Sequence, residues 1–396
     1  MSGLQWIDRL LWYSLVLFSL VCGVYRSGFY ISISLIMLLG LLRLAMTRQI
    51  QLSEKKIRQG SAVLLASIFL SVVFSNNVVL SAQMSAFLLL SFVPLVVVAA
   101  SEKGSGRAEG CFLLMAVSLA MGSVVAVWQG NHGEVRVKSL LGMMNFAGAL
   151  GLLFPILLVQ AIEYSRERWQ KIVYVLALAM SLPGAYYNGT RAIWITMTVT
   201  LVLYTIARRN VYKKVVRGIL AGILVLSLWG AGNPYVMDKV QSMVDVSVNE
   251  SNLGRINLWH YSLSIFEQNP LLGTGYGALP AFSGEIYKFN EELQMNIAVN
   301  RGDHVHNNML QLLAETGIIG GSAYAFFAYA VMRTFWDRFR ETAGSRFALM
   351  GLLVSVDFFL HGMLDYTLAP LKTTLLLFMV ILGLVCTAMK KHNEAE

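Results

Sequence analysis

Long apolar runs, each near the length of a membrane-crossing helix and set apart by short clusters of Lys and Arg, recur along this 396-residue chain. A spanning helix needs about 20 mostly apolar residues. That window finds runs near 7–25, 28–46, 60–75, 78–100, 109–128 and 139–162. The second half adds 172–188, 191–207, 216–231, 307–335, 346–363 and 370–389, which makes twelve. Composition closes off the alternatives: 56% of residues are hydrophobic and 13% charged, where a soluble domain carries roughly a quarter charged residues. The chain reads as an all-α, polytopic membrane protein.

The net charge of +9 does not point to nucleic acid, because the basic residues cluster between spans instead of lining one face. With both termini on the same side, 22 of the 31 Lys and Arg residues fall on that side and 9 on the other. The positive-inside rule makes the 22-residue side cytoplasmic. The first run lacks a small-residue cleavage site and reads as a retained helix. Cys22, Cys111 and Cys386 all fall inside apolar runs, so neither a disulfide framework nor a CxxC or HExxH metal pattern is available.

The expected organisation is one membrane-embedded unit. Helices 1–9 fill residues 1–231, a long external loop fills 232–305, and helices 10–12 with a tail fill 306–396. The loop holds eight acidic and four basic residues. A structureless connection of that length would be unusual, and long ordered loops tend to carry function. Short helices are expected in it. Ile256, Trp259, Leu263 and Phe266 fall on one face at helical spacing, suited to resting on a membrane surface.

Function should sit among the external polar residues. Arg191 follows Asn188-Gly189-Thr190 at the outer start of the eighth span, with Thr190 as N-cap, and Arg255 follows Asn252-Leu253-Gly254 at the expected start of a loop helix. A cation at a helix N-terminus opposes the helix dipole. Such a residue either snorkels to headgroup phosphates or helps the free N–H groups hold an anion. Arg301-Gly302-Asp303-His304-Val305-His306-Asn307-Asn308 precedes the tenth span, with Asp303 or a following residue as its cap. His306 in that first turn faces the positive dipole end, which favours the neutral imidazole of a general base. A capping or interfacial role stays open. Gly273-Thr274-Gly275-Tyr276-Gly277 has no Walker lysine and suits tight turns. Glu291-Glu292 is too little for a divalent metal, and Asp365 lies at another outer helix end.

His306-Asn307, nine residues and then Gly317-Ile318-Ile319-Gly320 resembles the signature of the bacterial O-antigen ligase and polymerase superfamily. Asn269-Pro270-Leu271-Leu272-Gly273-Thr274-Gly275-Tyr276-Gly277, the twelve spans and the late external loop support it. The resemblance implies glycan transfer from an undecaprenyl-diphosphate carrier on the periplasmic face of the bacterial inner membrane, without metal or cofactor. Ligases use lipid A-core oligosaccharide as acceptor, polymerases another lipid-linked repeat unit, and related protein glycosyltransferases Ser or Thr. It further implies His306, Arg255 and Arg191 as catalytic residues. Asp365, His304 and Asn307 join Arg191 and Arg255 as substrate-binding candidates. A lipid-linked glycan transporter is the alternative of a different class, although the notable polar residues sit at helix ends and not at the bilayer midplane.

Overall fold

The computed structural model describes residues 3–50, 52–100, 104–134, 136–164, 166–244, 250–279, 286–289, 295–298, 304–342 and 344–390. In chain order the helices are α1 (Gly3–Val21), α2 (Arg26–Thr47), α3 (Lys55–Val73), α4 (Val78–Ala99), α5 (Gly104–Asn131), α6 (Met143–Glu163), α7 (Arg168–Asn188), α8 (Arg191–Arg208) and α9 (Lys213–Ala231). The long connection contributes α10 (Pro234–Val244), α11 (Glu250–Gln268) and strands β1 (Ile286–Phe289) and β2 (Met295–Ala298). Then come α12 (Asn308–Glu341), α13 (Arg346–His361) and α14 (Thr373–Lys390). Each expected span coincides with one of these helices. Among the described residues seven helices, α1 to α6 and α14, are long and apolar enough to cross a membrane by length and composition.

Local chemistry explains the boundaries. Asn77 caps α4 by accepting from the Leu80 N–H at 3.1 Å. Gly189, in the left-handed region at φ 64°, ends α7 as only glycine does without strain. Hydroxyls inside the helices return to their own backbone, as Ser19 does to the Leu15 carbonyl at 2.8 Å and Ser355 to Gly351 at 2.6 Å. α6 and α14 are buried on nearly every side, the position that suits helices apolar all round. On α6, Gly148 and Gly151 let Thr374 and Asp357 approach so closely that a Cβ would collide with them.

The connections sort to two ends. At one, here the basic end, Arg208 forks onto Glu163 with bonds of 2.8 and 2.7 Å and also reaches the Gly344 carbonyl. Arg166 and Arg346 share Glu109, and Arg338 bonds Glu54 at 3.2 Å. At the opposite, histidine end, the Asn76 N–H donates to the Thr274 carbonyl and the Val137 N–H to the Tyr187 carbonyl.

The long connection departs from expectation in one way. It holds a two-stranded antiparallel hairpin, with Ile286 opposite Ala298 and Phe289 opposite Met295, that its composition did not announce. α11 is one of the helices expected in it, and it packs inward by a stripe of its own. Leu253, Asn257, Leu258, Ser262 and Ile265 are buried, and the Ser262 hydroxyl donates to the Leu310 carbonyl of α12 at 2.6 Å. Leu263 is exposed. Packing on α12 therefore decides which stripe of α11 faces inward.

α12 is broken once. Gly317 adopts φ 63° and ψ −164°, which no helix contains, and the groups freed there are paired by the glycine-rich loop. The Ile318 N–H donates to the Pro270 carbonyl at 2.8 Å, while Thr274 and Gly275 N–H groups donate to Ala314 and Glu315 carbonyls at 3.1 and 2.8 Å. A side chain on Gly317 would strike the Leu271 backbone, and one on Gly273, itself at φ 65°, would strike that of Glu315 and Thr316. Broken helices survive at membrane depth only where neighbouring protein satisfies the backbone in this way. The glycine loop thus serves as a docking turn against the α12 kink.

Candidate functional site

Asp365 stands at the centre of the histidine end. α13 closes on His361, whose carbonyl accepts the N–H groups of Leu364 and Asp365, both at 2.9 Å, and this tight turn presents the carboxylate. Asn308 ties the turn to the start of α12. Its backbone N–H donates to the Gly362 carbonyl at 2.7 Å, its amide donates to Tyr324 and Thr367 hydroxyls at 2.9 Å, and its oxygen accepts from the Leu368 N–H at 3.2 Å.

Both candidate histidines converge on this carboxylate. His306 Nδ1 lies 3.0 Å and His304 Nε2 3.1 Å from the same oxygen, Asp365 Oδ1. The two rings tilt against each other with centroids 4.2 Å apart. The Lys372 ammonium donates to the other oxygen, Oδ2, at 2.8 Å. Burial opposes ionisation of Asp365, but the bonds from His304 and His306 and the Lys372 charge outweigh it and hold the carboxyl well below the usual carboxylate range. Burial also pulls His304 below its ordinary value, with Asp365 working against that and His306 and Lys372 adding to it.

One expectation about this segment changes. His306 does not lie in the first helical turn. α12 begins at Asn308, and His306 precedes the cap in a left-handed conformation at φ 54°, a region histidine enters more readily than most residues. That turn is what brings His304 and His306, two positions apart, onto one acceptor. Asn307 is the cap, its oxygen accepting from the N–H groups of Met309 and Leu310 at 2.9 and 3.1 Å while its nitrogen donates to the Met363 carbonyl. The structure therefore gives Asn307 a capping role at the start of α12. Asp303, the other expected cap, lies outside the described residues. Asp365 is 4% exposed, with its oxygens engaged by His304, His306 and Lys372, and so holds those three side chains in place.

Three arginines are linked to this core, Arg255 through the field of Asp365, and Arg136 and Arg191 through that of Arg255. Arg191 opens α8 as expected, but the Thr190 side chain makes no cap bond. Arg255 is the sixth residue of α11 and not at its start, since Asn252 and Gly254 are helical. The dipole argument for Arg255 therefore lapses, and its helix instead aims it along the same face as Trp259. Its guanidinium feels burial first, then the opposed charges of Asp365 and Arg136, and Arg191 lies in the field of Arg255 and Arg136. Sequence reasoning passed over Arg136. Its loop is pinned beside Arg191 by the Val137 N–H bond to Tyr187 and by the Asn188 amide, which donates to Val137 and Met143 carbonyls at 3.1 and 3.2 Å. No local pattern announces that contact between residues about 50 apart.

By donor type and spacing His304, His306 and Asp365 could hold a metal ion, their ligand atoms lying within 4.8 Å of one another. Lys372 and Arg255 oppose this, because each competes with a cation for the same carboxylate. The assembly instead offers one imidazole whose Nδ1 is held by a carboxylate, so that Nε2 is the nitrogen left to act on a ligand, beside a cluster of guanidiniums suited to a multiply charged anion.

Residues 175–325 match the family model described as O-antigen ligase. The matched stretch runs from α7 to the first half of α12 and its kink, and so contains Arg191, Arg255, His306 and Gly317. Comparison with curated proteins finds no match.

Proposed function

We propose that the chain is a membrane glycosyltransferase of the O-antigen ligase family, whose model residues 175–325 match, and that it transfers a glycan from undecaprenyl diphosphate to lipid A-core oligosaccharide. The observation that carries this reading is the His306–Asp365 pair, 3.0 Å apart, beside Arg136, Arg191 and Arg255. Asp365 accepts the Nδ1 proton of His306 and sets the tautomer in which Nε2 is the base. The acceptor hydroxyl gives its proton to Nε2 as its oxygen bonds the anomeric carbon from the face opposite the leaving group. The bond from that carbon to the phosphate oxygen breaks, its electron pair leaves with undecaprenyl diphosphate, and the configuration inverts. Negative charge grows on the diphosphate as it departs, where guanidiniums stabilise it most. Lys372 keeps Asp365 ionised.

The setting proposed is the bacterial inner membrane, with twelve spans, both termini cytoplasmic and the histidine end periplasmic. The supporting feature is the division of basic residues, 22 to 9, between the two sides. Purified protein incubated with undecaprenyl-diphosphate-linked O-antigen and lipid A-core tests the activity. Glycan appearing on the core supports ligation. Lengthened lipid-linked polymer with unmodified core would replace it with polymerisation, and no product with either acceptor would favour transport.

A further inference from the structure

The backbone between the two histidines is gripped from both sides. Val305 is fully buried; its N–H donates to Gln311 Oε1 at 2.9 Å, and its carbonyl accepts the indole N–H of Trp259 at 3.0 Å. Gln311 is in turn held by Glu315, one helical turn further along α12, whose Oε1 accepts from Gln311 Nε2 at 2.6 Å. Both Gln311 and Glu315 are buried, at 4% and 2% exposure. Trp259 lies one turn beyond Arg255 on α11. A single line of hydrogen bonds therefore runs from the α12 kink region through the histidine segment to the helix that carries Arg255.

We propose that Glu315, Gln311 and Trp259 are positioning residues that set the distance between the His306 imidazole and the Arg255 guanidinium. The inference rests on the functional reading above and extends it to three residues that touch no substrate. A carboxylate buried in a membrane protein is costly unless it is bonded and used. Here its use is specific. Glu315 Oε1 accepts from Gln311 Nε2 and so fixes the Gln311 amide with its nitrogen toward Glu315 and its oxygen toward Val305. Without it the amide is free to turn. The buried Val305 N–H then loses its acceptor, and the histidine segment loses its register against α11. Glu315 also belongs to the glycine-loop dock, its backbone carbonyl accepting the Gly275 N–H at 2.8 Å. The site and the dock thus share one residue.

The test is steady-state transfer from undecaprenyl-diphosphate-linked O-antigen to lipid A-core by full-length protein, with melting temperature measured in parallel. Gln311→Met nearly keeps volume and removes the polar contact, whereas Trp259→Phe removes the indole N–H together with one ring, so its melting temperature is read beside its kcat. Each is expected to lower kcat roughly tenfold, in keeping with the cost of small misplacements, with little change in donor KM because the arginines remain. Glu315→Leu is expected to lose more. The exchanged double variant, Gln311→Glu with Glu315→Gln, restores a donor and an acceptor at the same two places and should recover most of the kcat that Glu315→Leu loses. Wild-type kcat in Gln311→Met and Trp259→Phe overturns the proposal. So does a fall in kcat that the exchanged pair fails to restore while its melting temperature matches wild type. If the wild-type protein itself makes no product, it is the functional reading that fails.

Discussion

At the basic end of the bundle Arg208 is forked onto Glu163, and Arg166 and Arg346 share Glu109. At the histidine end Arg136, Arg191 and Arg255 gather within each other's fields, and the carboxylate Arg255 feels, Asp365, is already engaged by Lys372 and two histidines. The same residue type therefore does opposite work. At the basic end a guanidinium held by a carboxylate closes loops and holds helix ends together. At the histidine end, guanidiniums in each other's fields favour a complex with an anion. Stability and activity should separate along this axis, and substitutions can test whether they do.

The largest effect is expected from His306→Ala. Proton-transfer catalysis contributes about a hundred- to ten-thousand-fold, so glycan transfer should fall by that order while melting temperature and donor binding hold. Loss of all three together would make His306 a structural residue and erase the contrast. Next is Glu163→Gln at the other end. Its side chain and that of Arg208 are 5% and 7% exposed, and breaking a buried pair costs about 3–5 kcal/mol. The melting temperature should drop markedly, with kcat per folded molecule unchanged. A variant that melts normally but transfers slowly would show that the basic end reaches the chemistry.

Arg255→Lys keeps the charge and removes the planar fork. A lost charge-assisted hydrogen bond is worth about 1.5–3 kcal/mol, which predicts a roughly ten- to hundred-fold fall in transfer without a change in melting temperature. Full activity would leave only a point-charge role. The smallest effect concerns pH. Folding lowers the affinity of His304 for a proton, so below the ordinary histidine value near 6.5 the unfolded chain binds a proton that the folded chain resists. Stability present above that pH is lost as the pH falls, with Asp365, His306 and Lys372 as the groups facing the ring. Melting curves at several pH values should show His304→Gln losing about one to two degrees less than wild type on acidification. An unchanged slope would remove His304 from the acid response.

Much of this was legible in the sequence, for identifiable reasons. Apolar runs of spanning length gave the helices because the bilayer imposes a length, and the glycine and histidine motifs pointed to 269–277 and 306–320. Residues placed by tertiary contact were not legible. Asp365 reaches His306 across 59 positions, and Arg136 reaches Arg191 only because Asn188 pins its loop. Gln311 and Glu315 read as ordinary helix positions, since nothing local says that their partner is a backbone amide upstream of the helix. Arg255 was misplaced within its helix because Asn252-Leu253-Gly254 looks like a start, yet the buried stripe of α11 carries the helix through it.

The interlock of Gly273 and Gly317 says where this chain can be severed. A break between β1 and β2 divides it into two pieces that still meet along α3 and α12, α4 and α14, and α6 and α13, with the glycine loop of the first seated on the kink of the second. Coexpressed fragments parted there should purify as one body. A break between Pro270 and Gly277 parts the loop from itself, uncouples the Pro270 carbonyl that Ile318 uses from the Thr274 and Gly275 N–H groups that Ala314 and Glu315 use, and should scatter the same two pieces.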